Sequence, residues 1–170
     1  QYANNKLDNK WTYWADDGRK TQEISYDKGI KHGPFLQWNV DNYKVIEGEY
    51  NQSEKHNKWT LWYEDGTLKQ HENYFNGEKD GQWIWWRPDG VKDREGSYKD
   101  DVKHGIWTQW NNADHKKLEE TFVNGVIDGK ITIWYDNGNK DREGVIRNNE
   151  QEGIWNYFHH NGETDFIFDY

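Results

Sequence analysis

Cysteine is absent from this 170-residue sequence, which excludes a disulfide framework and a thiolate metal site. Serine occurs only at Ser25, Ser53 and Ser97, none of them in a Gly-x-Ser-x-Gly elbow, so nucleophilic catalysis has no evident carrier. No apolar run approaches the length of a membrane span, and no signal peptide is visible. The chain opens at Gln1 rather than Met, as a processed export signal or a trimmed chain would leave it. A basic footprint is missing too. Lys and Arg number 22 against 31 Asp and Glu, a formal net charge of -9, which argues against nucleic-acid phosphates and for a basic partner. Hydrophobic residues reach only 32%, a level that reads as disorder unless aromatic residues, here 17%, supply the buried area.

Those aromatics recur every 24 residues in several registers at once. One row runs Trp11, Phe35, Trp59, Trp83, Trp107, Ile131, Trp155; a second, three residues on, runs Trp14, Trp38, Trp62, Trp86, Trp110, Trp134, Phe158. A third, Tyr2, Tyr26, Tyr50, Tyr74, Tyr98, Phe122, Ile146, Tyr170, keeps the same step from end to end. The chain is therefore expected to be a single repeat array over 1–170, in which contacts reach only to neighbouring units.

Each unit holds two turn signals between short aromatic and β-branched runs, the pattern of consecutive β-hairpins. The first falls at Asp17-Gly18, Asp65-Gly66, Asp89-Gly90, Asn137-Gly138 and Asn161-Gly162, with weaker versions at Asp41-Asn42 and Ala113-Asp114. These dipeptides fit two-residue type I′ turns. The second turn is expected to end at Gly33, Gly81, Gly105, Gly129 and Gly153, with Asn9 and Asn57 in the same position, residues that tolerate left-handed φ. Helix is improbable, because no window carries apolar residues at helical spacing without a glycine. A second period of 48 overlies the first in Gly48, Gly96 and Gly144, readable either as a ring packed over a bare Cα or as duplication ancestry alone.

A two-residue turn centred on Asp17-Gly18 pairs Trp11 with Ile24 and Tyr13 with Gln22. Alternation then puts Trp11, Tyr13, Ile24 and Tyr26 on one face, the better core, and Thr12, Trp14, Thr21 and Glu23 on the other. Equivalent indoles lie about 9.6 Å apart. The gaps in the second row would be filled by Thr21, Val45, Lys69, Asp93, Lys117 and Asp141, with Lys69 and Lys117 over indole faces. Trp14, Trp38, Trp62, Trp86, Trp110 and Trp134 thus form the candidate binding surface. A bulge between the two rows would place both on one face and remove it, and a packing role for the second row is the competing reading.

The unit Gly81-Gln82-Trp83-Ile84-Trp85-Trp86-Arg87-Pro88-Asp89-Gly90-Val91-Lys92, followed by Glu95-Gly96-Ser97-Tyr98, resembles the MORN repeat in its Trp-rich bacterial variant. The resemblance covers essentially the whole chain and implies an all-β fold, an elongated, twisted antiparallel sheet of successive hairpins in seven 24-residue units. It implies a non-catalytic protein-binding scaffold, with antitoxin or immunity proteins among its bacterial members. The basic residues linked to lipid contact in that family have no clear counterpart here. An exported or cell-surface bacterial location is the expectation.

Catalytic and metal chemistry find little support. His32, His56 and His104 share one turn position but would stand about 9.6 Å apart, too far for one ion. Glu23, Glu47, Glu95, Glu119 and Glu143 form a carboxylate row, with His71 as the exception, that reads as a solubility device. The chain is expected to be no enzyme, to need no cofactor or metal, and to bind a protein partner, a basic toxin being the leading candidate. A glycan- or choline-binding surface module is one alternative. Head-to-tail self-association through the terminal strands, with Phe166-Ile167-Phe168 as an apolar edge, is another.

Overall fold

The computed structural model describes residues 2–3 and 6–170, with side chains from Lys6 onward. Gln1 and the side chain of Tyr2, which begins the tyrosine row, lie outside the described residues. Two compact units are formed, residues 1–81 with 88–90 and residues 82–87 with 91–170. Both are all-β, and no helix occurs among the described residues. The first unit holds β1 (Tyr2–Ala3), β2 (Lys6–Leu7), β3 (Asn9–Trp14), β4 (Lys20–Asp27), β5 (Ile30–Trp38), β6 (Lys44–Asn51), β7 (Glu54–Trp62), β8 (Leu68–Phe75) and β9 (Glu78–Lys79). The second holds β10 (Gly81–Trp86), β11 (Lys92–Lys99), β12 (Val102–Trp110), β13 (Lys116–Val123), β14 (Val126–Trp134), β15 (Lys140–Arg147), β16 (Glu150–Phe158) and β17 (Thr164–Asp169). β1 and β2 pair as a separate two-stranded sheet, and from β3 onward consecutive strands within each unit pair antiparallel, as a succession of hairpins must.

The turns exchange the types expected of them. In the first turn, Gly18 N donates to Ala15 O at 2.9 Å and Ala15 N to Arg19 O at 2.8 Å, and Gly18 has φ +83° while Asp17 is not left-handed. That is a type I turn closed by a left-handed residue, a three-residue loop with a G1 bulge rather than type I′. Asn42 (φ 65°) and Asp114 (φ 60°) occupy the same position in the weaker turns. There the Oδ1 of Asn39 or Asn111 caps two backbone N–H groups of the loop. Type I′ geometry appears in the second turns, where both central residues are left-handed: Lys28-Gly29, Gln52-Ser53, Asn76-Gly77, Asp100-Asp101, Asn124-Gly125 and Asn148-Asn149. Gly33 and its equivalents do have positive φ, but they sit inside strands. Between the Tyr26–Lys31 and Ile24–Phe35 pairs, residues 32–34 bulge opposite Ser25.

Pairing of Trp11 with Ile24 and Tyr13 with Gln22 is as the spacing predicts, but the G1 bulge then shifts the register so that Trp14 faces Lys20 instead of Thr21. The same shift follows Gln37, Leu61, Gln109 and Ile133. The extra residue, Thr21, lies on β4, so β3 alternates regularly from Trp11 to Trp14 and the two tryptophan rows take opposite faces.

The first face is the core. Ile24, Phe35 and Trp59 are buried in the first unit, packed with Trp11, Tyr26, Ile46, Tyr50, Leu61 and Tyr74; Ile131, Ile146 and Trp155 anchor the second. The 48-residue glycine period has a packing cause. A Cβ on Gly48, Gly96 or Gly144 would run into the ring of Trp59, Trp107 or Trp155. Where the position carries Ile24 instead, its partner is the smaller Phe35, and Glu120 faces Ile131. Glu72, opposite Trp59, is buried and receives Lys55 Nζ at 2.9 Å and Tyr74 Oη at 3.0 Å. Burial pushes the Glu120 carboxyl up, with Lys103 opposing.

Candidate functional site

Trp14 stands at 60% exposure on the second face, while Trp38 and Trp62 in the first unit and Trp86, Trp110 and Trp134 in the second are half-buried on theirs. The register shift decides what lies between the indoles. Lys20 Nζ is 5.9 Å from the Trp14 ring and 5.0 Å from that of Trp38, so one ammonium bridges two indoles. Lys44 lies over Trp62 (5.6 Å), Lys92 over Trp110 (4.7 Å), Lys116 over Trp134 (5.6 Å) and Lys140 over Phe158 (5.9 Å). The expectation of Lys69 and Lys117 in these gaps is thereby corrected. Residues of that row are the bulged ones, and Lys69 turns to the Tyr63 ring at 5.4 Å.

Each ladder lysine is held by the carboxylate three residues on. Lys20 meets Glu23 at 2.7 Å, Lys44 meets Glu47 at 2.9 Å, Lys92 meets Glu95 at 2.8 Å and Lys140 meets Glu143 at 2.9 Å; Lys116 pairs with Glu119 in the same way. Hydrogen bonds from Lys20 and Lys10 hold the Glu23 carboxyl below the usual carboxylate range. Burial raises Glu143, but hydrogen bonds from Lys140 and Lys130 outweigh it and leave that carboxyl lowered as well. Buried Thr108 and Thr132 pair across the strands with glutamates of the row. The result is a face of alternating indole and ammonium whose charges are internally paired.

Excess negative charge is concentrated elsewhere, at the first turns. Asp16, Asp17, Asp41, Glu64 and Asp65 are exposed there in the first unit, against Arg19 alone, which is itself bound to Asp17 at 2.7 Å. These turns touch in series: Arg19 Nη1 donates to Val40 O at 3.1 Å and Asn39 Nδ2 to Glu64 O at 2.6 Å. The second unit repeats the device through Arg87, which donates to Trp110 O, Lys92 O and Asn111 O and pairs with Asp93 at 3.3 Å. Beside it opens a polar cleft of about 520 Å³ lined by Asp93, Gln109, Trp110, Asn112, Lys117 and Asp136. The acidic edge directly follows the indole row in sequence, Trp14 leading into Asp16-Asp17 and Trp62 into Glu64-Asp65. An apolar ladder bordered by unneutralised carboxylates has the chemistry to hold an apolar stripe flanked by cations.

The histidines of the second turns take local roles. His56 Nδ1 accepts from Asn76 N at 3.3 Å, and its ring lies 5.5 Å from that of Phe75.

Among known families, the one described as a MORN repeat variant matches residues 55–76 and 79–100. No curated protein matches the chain.

Proposed function

The chain belongs to the MORN-repeat family, whose repeats are protein- and membrane-binding modules, and from that premise we propose that it binds a protein partner through the Trp14 row, as an antitoxin or immunity protein does. The observation that carries this reading is the placement of the row: large rings, incompletely buried, on a face the core does not use. Tryptophan is a preferred hot-spot residue, and the acidic turn edge beside it would speed encounter with a basic toxin.

Two arms test it. Proteins encoded beside this gene are titrated against the chain by calorimetry, and the same genes are expressed with and without it in a growth assay. Binding with protection is expected, with at least a tenfold loss of affinity for Trp38→Ala and Trp110→Ala. Failure to bind or protect against any of them would sink the reading.

Strand addition keeps one specific observation in its favour: Phe166, Ile167 and Phe168 on β17 are 49%, 61% and 51% exposed. A mass that rises with concentration in sedimentation would favour it, and a fixed monomer mass would exclude it.

A further inference from the structure

The polar cleft beside Arg87 lies wholly within the second unit, and its walls are fixed before any ligand arrives. Arg87 donates from Nη1 to Trp110 O at 3.2 Å and from Nη2 to Lys92 O at 3.1 Å and to Asn111 O, and it pairs with Asp93 at 3.3 Å. Asn111 Nδ2 donates to Asp136 O at 2.9 Å, while its Oδ1 accepts from Ala113 N and His115 N. Four side chains of the lining have no such duty. Gln109, Asn112, Lys117 and Asp136 are exposed, and among the described residues their side chains make no hydrogen bond or ion pair. Lys117 is the bulged residue of β13: Gln109 pairs with Leu118 and Trp110 with Lys116, so the extra residue between them is withdrawn from the indole row. Asp93 holds the equivalent place one repeat earlier.

We propose that this cleft binds a short, neutral saccharide, a ligand separate from any protein held at the indole row. The charges of the lining balance, Arg87 and Lys117 against Asp93 and Asp136, which disfavours a simple ion of either sign. An apolar side chain is disfavoured too, since Trp110 and Ala113 alone are apolar in the lining. A carboxylate only accepts hydrogen bonds, an ammonium only donates them, and the amides of Gln109 and Asn112 do both. Hydroxyl groups answer all three: they donate to Asp136, accept from Lys117 and exchange bonds with the amides. The Trp110 ring, with Lys92 Nζ over it at 4.7 Å, adds apolar surface against which the C–H bonds of a sugar ring can lie. The cleft's volume of about 520 Å³ falls within the range of about 300–1,000 Å³ typical of small-molecule sites. Because the walls are already braced, little more has to be ordered on binding.

The full chain is titrated by calorimetry with cellotriose, maltotriose, laminaritriose, xylotriose and triacetylchitotriose as neutral probes, with trigalacturonate as an anionic probe and glycine betaine as a zwitterionic one. At least one neutral probe should bind, and its affinity should fall by about tenfold in Asp136→Ala and in Lys117→Ala, and in the same direction in Asn112→Ala. These side chains are exposed and unbonded, so the unfolding midpoint of each variant should stay that of the parent. Glu150→Ala, at a second turn and outside the lining, should bind as the parent does. Binding of trigalacturonate or glycine betaine alone would overturn the assignment of a neutral ligand, and so would no binding of any probe. A neutral probe that binds the cleft variants as it binds the parent, but loses affinity for Trp38→Ala and Trp134→Ala, would place the saccharide on the indole row and overturn the cleft.

Discussion

Gly48→Ala is the sharpest test of the packing that sets the repeat. A Cβ at this position would lie 2.6 Å from Cε3 of Trp59, with Cδ2 and Cε2 closer still. Carbon atoms settle at about 3.5–4.0 Å, so the ring must retreat by at least about 1 Å. It has nowhere to go. Trp59 is 2% exposed, stacked on Phe35 at a centroid distance of 5.5 Å, edge-on to Tyr50 at 5.0 Å, and its Nε1 donates to Glu49 O at 3.1 Å. Overpacking costs about 1–3 kcal/mol, and loss of the indole hydrogen bond about 1 kcal/mol more, giving roughly 3 kcal/mol in all. In urea denaturation at a typical slope, the midpoint should drop by about 1–2 M. The sequence already contains the compensation, because Ile24 is accommodated opposite Phe35. G48I/W59F should therefore recover most of the loss. A Gly48→Ala midpoint within about 0.5 kcal/mol of the parent would refute the packing account and leave the 48-residue period as ancestry.

Other outcomes follow from the turns, the ladder and the titrating groups. Gln52→Gly relieves a left-handed glutamine at φ 50° and should stabilise by about 0.5–1 kcal/mol in the same assay, since the backbone penalty exceeds the added chain entropy. Arg87→Ala removes the donors to Trp110 O, Lys92 O and Asn111 O and should cost about 2–3 kcal/mol, with hydrogen exchange accelerating first in the turn at 111–115. Stability should fall on acidification. The lowered carboxyls of Glu23 and Glu143 make the unfolded chain the better proton binder, so their contribution is present above the ordinary carboxylate range and is lost as pH falls through it. The lowered His71 adds an earlier decline as pH drops below the ordinary histidine range. His71→Gln should remove that earlier step from a stability-versus-pH curve and leave the carboxylate step in place.

Much of this fold is legible from spacing alone. A strict 24-residue step places Trp11, Phe35, Trp59 and Trp107 at one point of successive hairpins, and strand alternation sends the row beginning at Trp14 to the other face. Turn chemistry was harder to read. Asp17-Gly18 fits a type I′ turn by composition, but here the left-handed residue is Gly18 alone and the turn proper lies on Asp16-Asp17. True type I′ turns are written as Lys28-Gly29, Gln52-Ser53 and Asp100-Asp101, which share no dipeptide. They are imposed by the short connection and the twist of the strands around them. The misread loop is one residue too short, and one residue is enough to exchange Thr21 for Lys20 in the gap between indoles. The Lys-x-x-Glu pairs from Lys20-Glu23 onward were visible in the sequence all along. Their meaning depends on a register that only the bulge supplies.

The central claim is that the indole row on the second face is the surface a protein partner covers. Oxidative footprinting of the tryptophans, with and without the partner encoded beside this gene, tests it most directly. Trp14, Trp38, Trp62, Trp110 and Trp134 should become protected in the complex, while the buried Trp59, Trp107 and Trp155 stay unreactive in both states. Unchanged labelling of the Trp14 row in a complex that demonstrably forms would contradict the claim.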